Sequence, residues 1–449
     1  MSCKILAEGA VCAIKFVSRR EVEKETNVTL KAVKGFKDIL PEEARKRQRI
    51  EETARQIFEG CGLEEIRTPI LERTEVFARG IGEHTDIVEK EMYTFEDRNG
   101  QLLTLRPEAT AGILRAVIEH KLYNKSPLLK LYTVGPMFRH ERPQKGRLRQ
   151  FHQLNVEYIG SSSPLADAEV VFLAYEIVSK FADQDDLILE MNSLGCPKCR
   201  PLHRKDLVLF LKNNVEDFCE DCQRRAGLNP LRVFDCKNEE CQAVLKFAPV
   251  IKHYICPECA IHMGKVLDAL EAFGIPFVQN AYLVRGLDYY KRTTFELKAR
   301  GLGAQSTVAA GGRYDGLSSL LGGPDLPGVG MAVGVERLLL LMKEELAPRR
   351  ADLFIAALGD EARTEALYWI GYLRRQGLKV EYSLEDKSLK AQMKQADKAG
   401  ARYCLIVGER EMDEEEAILR DMKTKEQEGI DLDDLPEILV EKIKSQGDE

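Results

Sequence analysis

The chain has 449 residues, 44% of them apolar and 31% charged, an ordinary composition for a globular protein of roughly two to four domains. Its formal net charge of −7 argues against a general polyanion binder, although a local patch can still bind RNA. No stretch approaches the roughly 18 consecutive apolar residues of a membrane-spanning helix. The opening segment, broken by Glu8 and Gly9, makes no convincing secretory signal, so the cytoplasm, a reducing compartment, is expected for the 12 cysteines.

Residues 1–29 show no clear periodicity and read as an N-terminal extension. Pro41 suits the first position of a helix, and acids Glu42 and Glu43 follow it. Ile50, Ala54, Ile57 and Phe58 then share one helical face, and Gly60 and Gly62 end it. Pro69 belongs at a strand edge or an interface. Leu102–Leu105 reads as a strand, and Pro107 is expected to open the helix that carries Ile113, Val117 and Ile118. Glu108 and Thr110 therefore stand at a strand-to-helix junction. A carboxylate there either binds an amino group or simply stabilises the helix start.

Two strands, Leu128–Val134 and Phe151–Tyr158, are expected to pair as a long-looped antiparallel hairpin. The loop, FRHERPQKGRLRQF over 138–151, turns at Pro143 and Gly146 and carries Arg139, Arg142, Lys145, Arg147 and Arg149. Along the second strand His152, Leu154, Val156 and Tyr158 point one way, and Phe151, Gln153, Asn155 and Glu157 the other. The polar face, with Arg139 beside it, suits the floor of a pocket. Guanidinium groups there would hold a triphosphate, and a carboxylate an ammonium or imidazole. Taken alone, the run is equally consistent with a solvated basic hairpin.

A helix (Ala166–Phe181) and a strand (Leu187–Met191) come next, followed by four cysteine pairs: Cys196/Cys199, Cys219/Cys222, Cys236/Cys241 and Cys256/Cys259. Eight thiols can hold two tetrahedral zinc ions, or one with spare thiols, or stay reduced without metal. A closed thiolate shell is structural, because no position is left for substrate. His203, His253 and His262 are candidate substitute ligands. Leu283–Tyr290 forms a charged turn that aims Arg285 and two phenols at a site. Gly311 and Gly312 offer backbone that can approach a ligand closely. Gly328–Gly334 is a glycine-rich strand entering a helix whose first turn holds Arg337, with no Walker-type lysine after it. From about Ala351 strands and helices alternate, a separate α/β domain. On one of its helices Lys387, Lys390, Lys394 and Lys398 share a face that can meet RNA phosphates or simply stay solvated.

Together these pieces, from about Leu30 onward, resemble the class II aminoacyl-tRNA synthetases and, within them, the histidyl-tRNA synthetase family. The loop over 138–151 is similar to class II motif 2, Gly328–Leu340 to motif 3, and Ile66–Pro69 to motif 1, the dimer element. TLRPEAT (104–110), LVRGLDYY (283–290) and AGGRYD (310–315) resemble the histidine-specific signatures. The resemblance implies a fold: an α+β catalytic domain on an antiparallel sheet over 30–345, with a helical insertion near 194–270, then an anticodon-binding α/β domain over 350–449. It implies activation of L-histidine by ATP with Mg²⁺, transfer to tRNA(His), and a homodimer. Glu108, Thr110 and Gln153 would hold the α-amino group, and Glu157 and Tyr290 would read the imidazole, with Tyr289 lining the pocket. Arg139 and Arg285 would flank the α-phosphate, and Phe151 and Arg337 would sandwich adenine. Zinc is no general feature of the family, so the cysteines stand on their own spacing. The rival is the non-catalytic regulatory subunit of ATP phosphoribosyltransferase, a histidine-binding relative that lacks the C-terminal domain.

Overall fold

The computed structural model describes residues 30–445 except 83, 84, 86, 304, 305, 344 and 346–349, so the expected N-terminal extension lies outside the described residues. The first helix of the described residues, Pro41–Gly60, starts at its proline as expected and buries Ile50, Ala54 and Phe58. It stops because Gly62 turns the chain at φ +76°, a conformation that glycine adopts without strain.

That buried face packs on a sheet of eight strands. In spatial order they are Glu64–Glu65, Leu129–Phe138, Gln150–Ile159, Gly328–Gly334, Thr307–Arg313, Lys291–Ala299, Leu187–Ser193 and Val278–Gln279. The inner pairings are antiparallel, and only the two short edge strands run parallel to their neighbours. The expected alternation decides which side is core. Leu154, Val156 and Tyr158 lie fully buried in one core cluster with residues of the helices Pro164–Ser179 and Pro257–Ala272. The opposite face of the same strand is left to line a cavity.

Glycines let the central strands come this close. A Cβ on Gly311 would stand 2.2 Å from the carbonyl oxygen of Gly330, and one on Gly330 1.9 Å from Glu157 Oε2. The 311–312 pair therefore lies inside a strand and makes room for neighbouring strands, where the sequence suggested ligand-facing backbone. Arg313, next in line, is fully buried and donates from Nε to Asp167 at 3.1 Å and from Nη1 to the Ser161 carbonyl at 2.8 Å.

A small sheet of three strands, Leu71–Arg73, Leu102–Leu105 and Tyr93–Glu96, delivers the next helix. That helix begins at Thr110, and Pro107 lies ahead of it, contrary to the expectation. The carboxylate of Glu108 accepts from the backbone N–H of Thr110 at 2.7 Å and of Ala111 at 2.9 Å, so it satisfies the first-turn donors that the proline was expected to precede.

The chain divides into two compact units after residue 344. The second has a five-stranded sheet in the order Val380–Tyr382, Leu353–Ala357, Tyr403–Val407, Glu416–Asp421 and Gln427–Asp431. Its first three strands are parallel, as alternating strands and helices require, and the last two add an antiparallel hairpin. No helix of the described residues is long and apolar enough to cross a membrane.

Candidate active site

The polar face of the strand Gln150–Ile159 forms the floor of a cavity of about 610 Å³, within the usual range for ligand sites. Glu108, Thr110, Arg139, Phe151, Gln153, Arg285, Tyr289, Tyr290 and Arg337 all line it. These residues are far apart in sequence, and the central sheet brings them together.

One end of the cavity is built for a cation. Glu157 is 1% exposed and sits directly behind Thr110, whose hydroxyl donates to Glu157 Oε1 at 2.5 Å. The Tyr314 hydroxyl donates to Oε2, also at 2.5 Å. Burial pushes the Glu157 carboxyl up to about 8, against the lowering effect of those two donors, and the nearby Glu108 adds to the rise. Glu108 is likewise buried and raised, and its Oε2 accepts from the Tyr289 hydroxyl at 3.4 Å. Tyr289 and Tyr290 pack with ring centroids 4.7 Å apart and planes tilted by 55°, and Tyr314 meets Tyr289 edge-on at 5.9 Å. Two buried carboxyl groups bridged by Thr110, one of them on the cavity wall, with phenol rings beside them, suit a cationic group.

The other end favours an anion. Arg139 lies over the Phe151 ring at 5.3 Å and donates from Nε to the Pro107 carbonyl at 2.9 Å. Arg147 pairs with Glu141 at 2.6 Å. Arg285 pairs with Glu296, which also accepts from Thr307 Oγ1 at 2.8 Å. Arg337 donates to the Thr307 carbonyl. Its pKa is lowered by burial first and then by the positive charge of Arg147. Like charges crowded in one cavity are stabilised when an anion enters. Gln153 Oε1, Asn155 Nδ2 and Arg285 Nε are buried with no hydrogen-bond partner among the described residues, as in a site waiting for polar ligand atoms.

The cysteines sort into two groups: Cys196, Cys199, Cys256 and Cys259, and Cys219, Cys222, Cys236 and Cys241. Within the first, sulfur pairs stand at 3.6, 3.9 and 3.9 Å, and within the second Cys219 and Cys236 stand at 3.8 Å. Tetrahedral zinc at about 2.3 Å from each thiolate sets sulfurs about 3.8 Å apart, so both groups fit. Backbone N–H groups of Cys256 and Cys219 donate to Cys199 Sγ at 3.1 Å and Cys241 Sγ at 3.2 Å, support of the kind that ligating thiolates receive. None of the three candidate histidines belongs to either group. His262 bonds Asp167 at 3.2 Å, and His203 the Pro249 carbonyl at 2.8 Å, because each has a closer polar partner than the thiols.

Sequence reasoning passed over Tyr314, Glu296, Arg232 and Asp235, and placed Asn155 on the pocket floor without giving it a role. Tyr314 stands inside the AGGRYD motif and Asn155 on the polar strand face, so both carried a signal. Arg232 and Asp235 reach the cavity from the cysteine-rich stretch, and nothing local in the sequence marks them.

A large antiparallel sheet with an arginine-bearing hairpin, and beside it a glycine-rich strand feeding a helix, defines a class II aminoacyl-tRNA synthetase. The family model for histidyl-tRNA synthetase matches residues 35–196 and 243–338, and that for an anticodon binding domain matches 352–442. Curated relatives named histidine–tRNA ligase include one from Desulfosudis oleivorans, 54% identical over 92% of this chain and 98% of its own length. Another, from Trichlorobacter lovleyi, is 50% identical over 90% of this chain and 97% of its own. The crystal structure of apo S. aureus histidyl-tRNA synthetase superposes with a TM-score of 0.77 at 36% identity, covering 92% of this chain and all (100%) of that one. The chain belongs to the histidyl-tRNA synthetase family.

Proposed function

We propose that the cation-binding end of the cavity takes L-histidine, that the arginine end takes ATP, and that the chain makes histidyl-adenylate and charges tRNA(His) with it. The observation that carries this reading is the buried carboxyl of Glu108 on the wall of an arginine-lined cavity, joined through Thr110 to a second buried carboxyl, Glu157, directly behind it. Glu108, Thr110 and Gln153 hold the α-ammonium, Glu157 and Tyr290 read the imidazole, and Tyr289 walls the subsite. The histidine carboxylate then attacks the α-phosphorus in line. An oxygen–phosphorus bond forms to the carboxylate as the bond to the β-phosphate oxygen breaks and pyrophosphate leaves. Arg139 and Arg285 stabilise the charge on the α-phosphoryl oxygens, while Phe151 and Arg337 hold adenine. In the second step a hydroxyl of the terminal ribose of tRNA(His) attacks the acyl carbon and releases AMP.

Mg²⁺ needs only one or two carboxylates besides phosphate oxygens, and Glu141 lines the same cavity, so a carboxylate that would help to hold it is present. An ion held there would supply positive charge to the departing pyrophosphate. Zinc in the two cysteine groups is structural. We assign residues 30–345 to the catalytic domain, with its cysteine-rich insertion at about 194–270, and 350–449 to anticodon binding. The protein works as a homodimer in the cytoplasm, and light scattering that returned the mass of a single chain would rule the dimer out. The regulatory-subunit reading is disfavoured by Arg285 in the cavity and by the anticodon-binding match over 352–442.

ATP–pyrophosphate exchange with each of the twenty amino acids tests the assignment. Histidine alone is expected to support exchange. Histidine binding with no exchange would return the chain to the regulatory reading.

A further inference from the structure

The cavity wall includes Arg232 and Asp235, which belong to none of the synthetase motifs. Both lie in the turn Pro230–Asp235, enclosed by one cysteine group: Cys219 and Cys222 precede it and Cys236 and Cys241 follow. The core of this region is small, with Leu207, Leu211, Phe218, Val233 and Leu245 packed around the thiols. A core of that size rarely fixes a fold without a staple, and a metal held by thiolates supplies one.

From this turn contacts run to the segment Leu283–Tyr290. Arg232 Nη1 donates to the Arg285 carbonyl oxygen at 3.0 Å and pairs with Asp235 at 3.1 Å. Asn229 donates to Asp288 Oδ1 at 2.5 Å. The other cysteine group reaches the same segment from its far end. Arg200, directly after Cys199, donates to the Tyr290 carbonyl oxygen and to that of Leu194 at 3.1 Å. The segment itself is neither helix nor strand, so its shape depends on such outside donors.

We propose that the two cysteine groups are metal-built struts that hold Leu283–Tyr290 at both ends, so that metal occupancy sets the geometry of the histidine and phosphate subsites. Arg200 and Arg232 are positioning residues: each grips a backbone carbonyl of the segment that presents Arg285, Tyr289 and Tyr290. The proposal rests on the roles given to those three residues above. Losing the metal from Cys219, Cys222, Cys236 and Cys241 frees the turn that carries Arg232, and Arg285 loses its fixed position without being touched. Small displacements of a charge-stabilising group reduce rate steeply, because the barrier depends on pre-set geometry.

The test uses the full chain. Elemental analysis of wild type should find two zinc ions per chain, and Cys236→Ser/Cys241→Ser should retain one. Hydrogen–deuterium exchange in the peptide spanning 283–290 should then quicken about tenfold. Histidine kcat/KM in ATP–pyrophosphate exchange should fall about tenfold or more. Chelation of wild type followed by zinc return should reverse both changes in one sample, which separates the effect from misfolding. Arg232→Ala should keep both zinc ions and still show the faster exchange and the lower kcat/KM. Wild type without metal overturns the proposal, and so does a one-zinc variant with an unchanged 283–290 peptide. Were wild type to lack histidine-dependent pyrophosphate exchange, the functional reading would fall, while zinc content and peptide exchange would still report on the struts.

Discussion

Replacing Arg285 with alanine lowers histidine-dependent ATP–pyrophosphate exchange by about 10²–10³-fold, mostly through kcat. The guanidinium is held before any ligand arrives. It pairs with Glu296, lies 5.9 Å from the Tyr290 ring centroid, and has only 18% of its side chain exposed. Desolvation, the largest single influence, opposes its charge, but Glu296, Tyr290, Asp235 and Tyr289 together outweigh it, so the group stays cationic with its pKa raised. A fixed cation in a poorly solvated cavity needs little reorganisation when charge develops on the α-phosphoryl group, the condition under which such groups matter most. Alanine also leaves Glu296 without its cation, and an uncompensated carboxylate beside the phosphates repels them. Arg285→Ala/Glu296→Gln should therefore recover part of the loss in ATP KM and none of the loss in kcat. Arg285→Lys keeps the charge without the forked donor set and should fall between. Unchanged kcat in Arg285→Ala, with the thermal midpoint preserved, would remove Arg285 from the chemical step.

The parts of this site that were legible in the sequence are those that local periodicity controls. Alternation from Phe151 to Tyr158 separated core from cavity floor, because successive strand residues face opposite ways. Its partner strand was cut short at Val134, since a proline usually ends a run. Here it continues through Pro136 to Phe138, and the Pro136 carbonyl accepts from Arg106 Nε at 2.9 Å. Thiolate spacing pointed to metal but not to the partition. Cys196 and Cys199 join Cys256 and Cys259 across the insertion, and the two inner pairs close on each other. That nesting follows from the path of the chain between the pairs, which spacing does not record. The hairpin Glu416–Asp421 with Gln427–Asp431 was missed because the buried apolar side chains of its two strands are just Ala417, Leu419 and Ile430 within a charged stretch. The cavity wall at Arg232 was invisible for a related reason: its contact to Arg285 bridges 53 residues of chain.

Glu157→Gln should separate two consequences of one buried carboxyl. In the folded, ligand-free protein Glu157 keeps its proton up to about pH 8, whereas 4.5 is the ordinary value for the unfolded chain. Across that window the folded state holds a proton that the unfolded chain has released. Stability is thus fully present below about 4.5 and is lost as pH rises towards about 8. Glutamine is neutral throughout, so the variant's thermal midpoint should rise relative to wild type across the window, with the largest gain above its upper end. Histidine binding runs the opposite way. Free imidazole is neutral above roughly pH 6.5, and below about 8 the Glu157 proton is available to complete the imidazolium–carboxylate pair. Affinity should be flat over that interval. Above it the pair must take its proton from water, and the histidine Kd should weaken about tenfold per pH unit. Glutamine offers no charge to the buried pair, a loss worth about 3–5 kcal/mol, so Kd should rise by about two to nearly four orders of magnitude. Titration of the substrate's own amino group is common to both proteins, so the difference between their pH profiles isolates Glu157. Calorimetric titration with histidine from pH 6 to 9, beside melting curves without it, measures both effects. Parallel binding profiles for wild type and variant would show that the imidazole is read by some group other than Glu157.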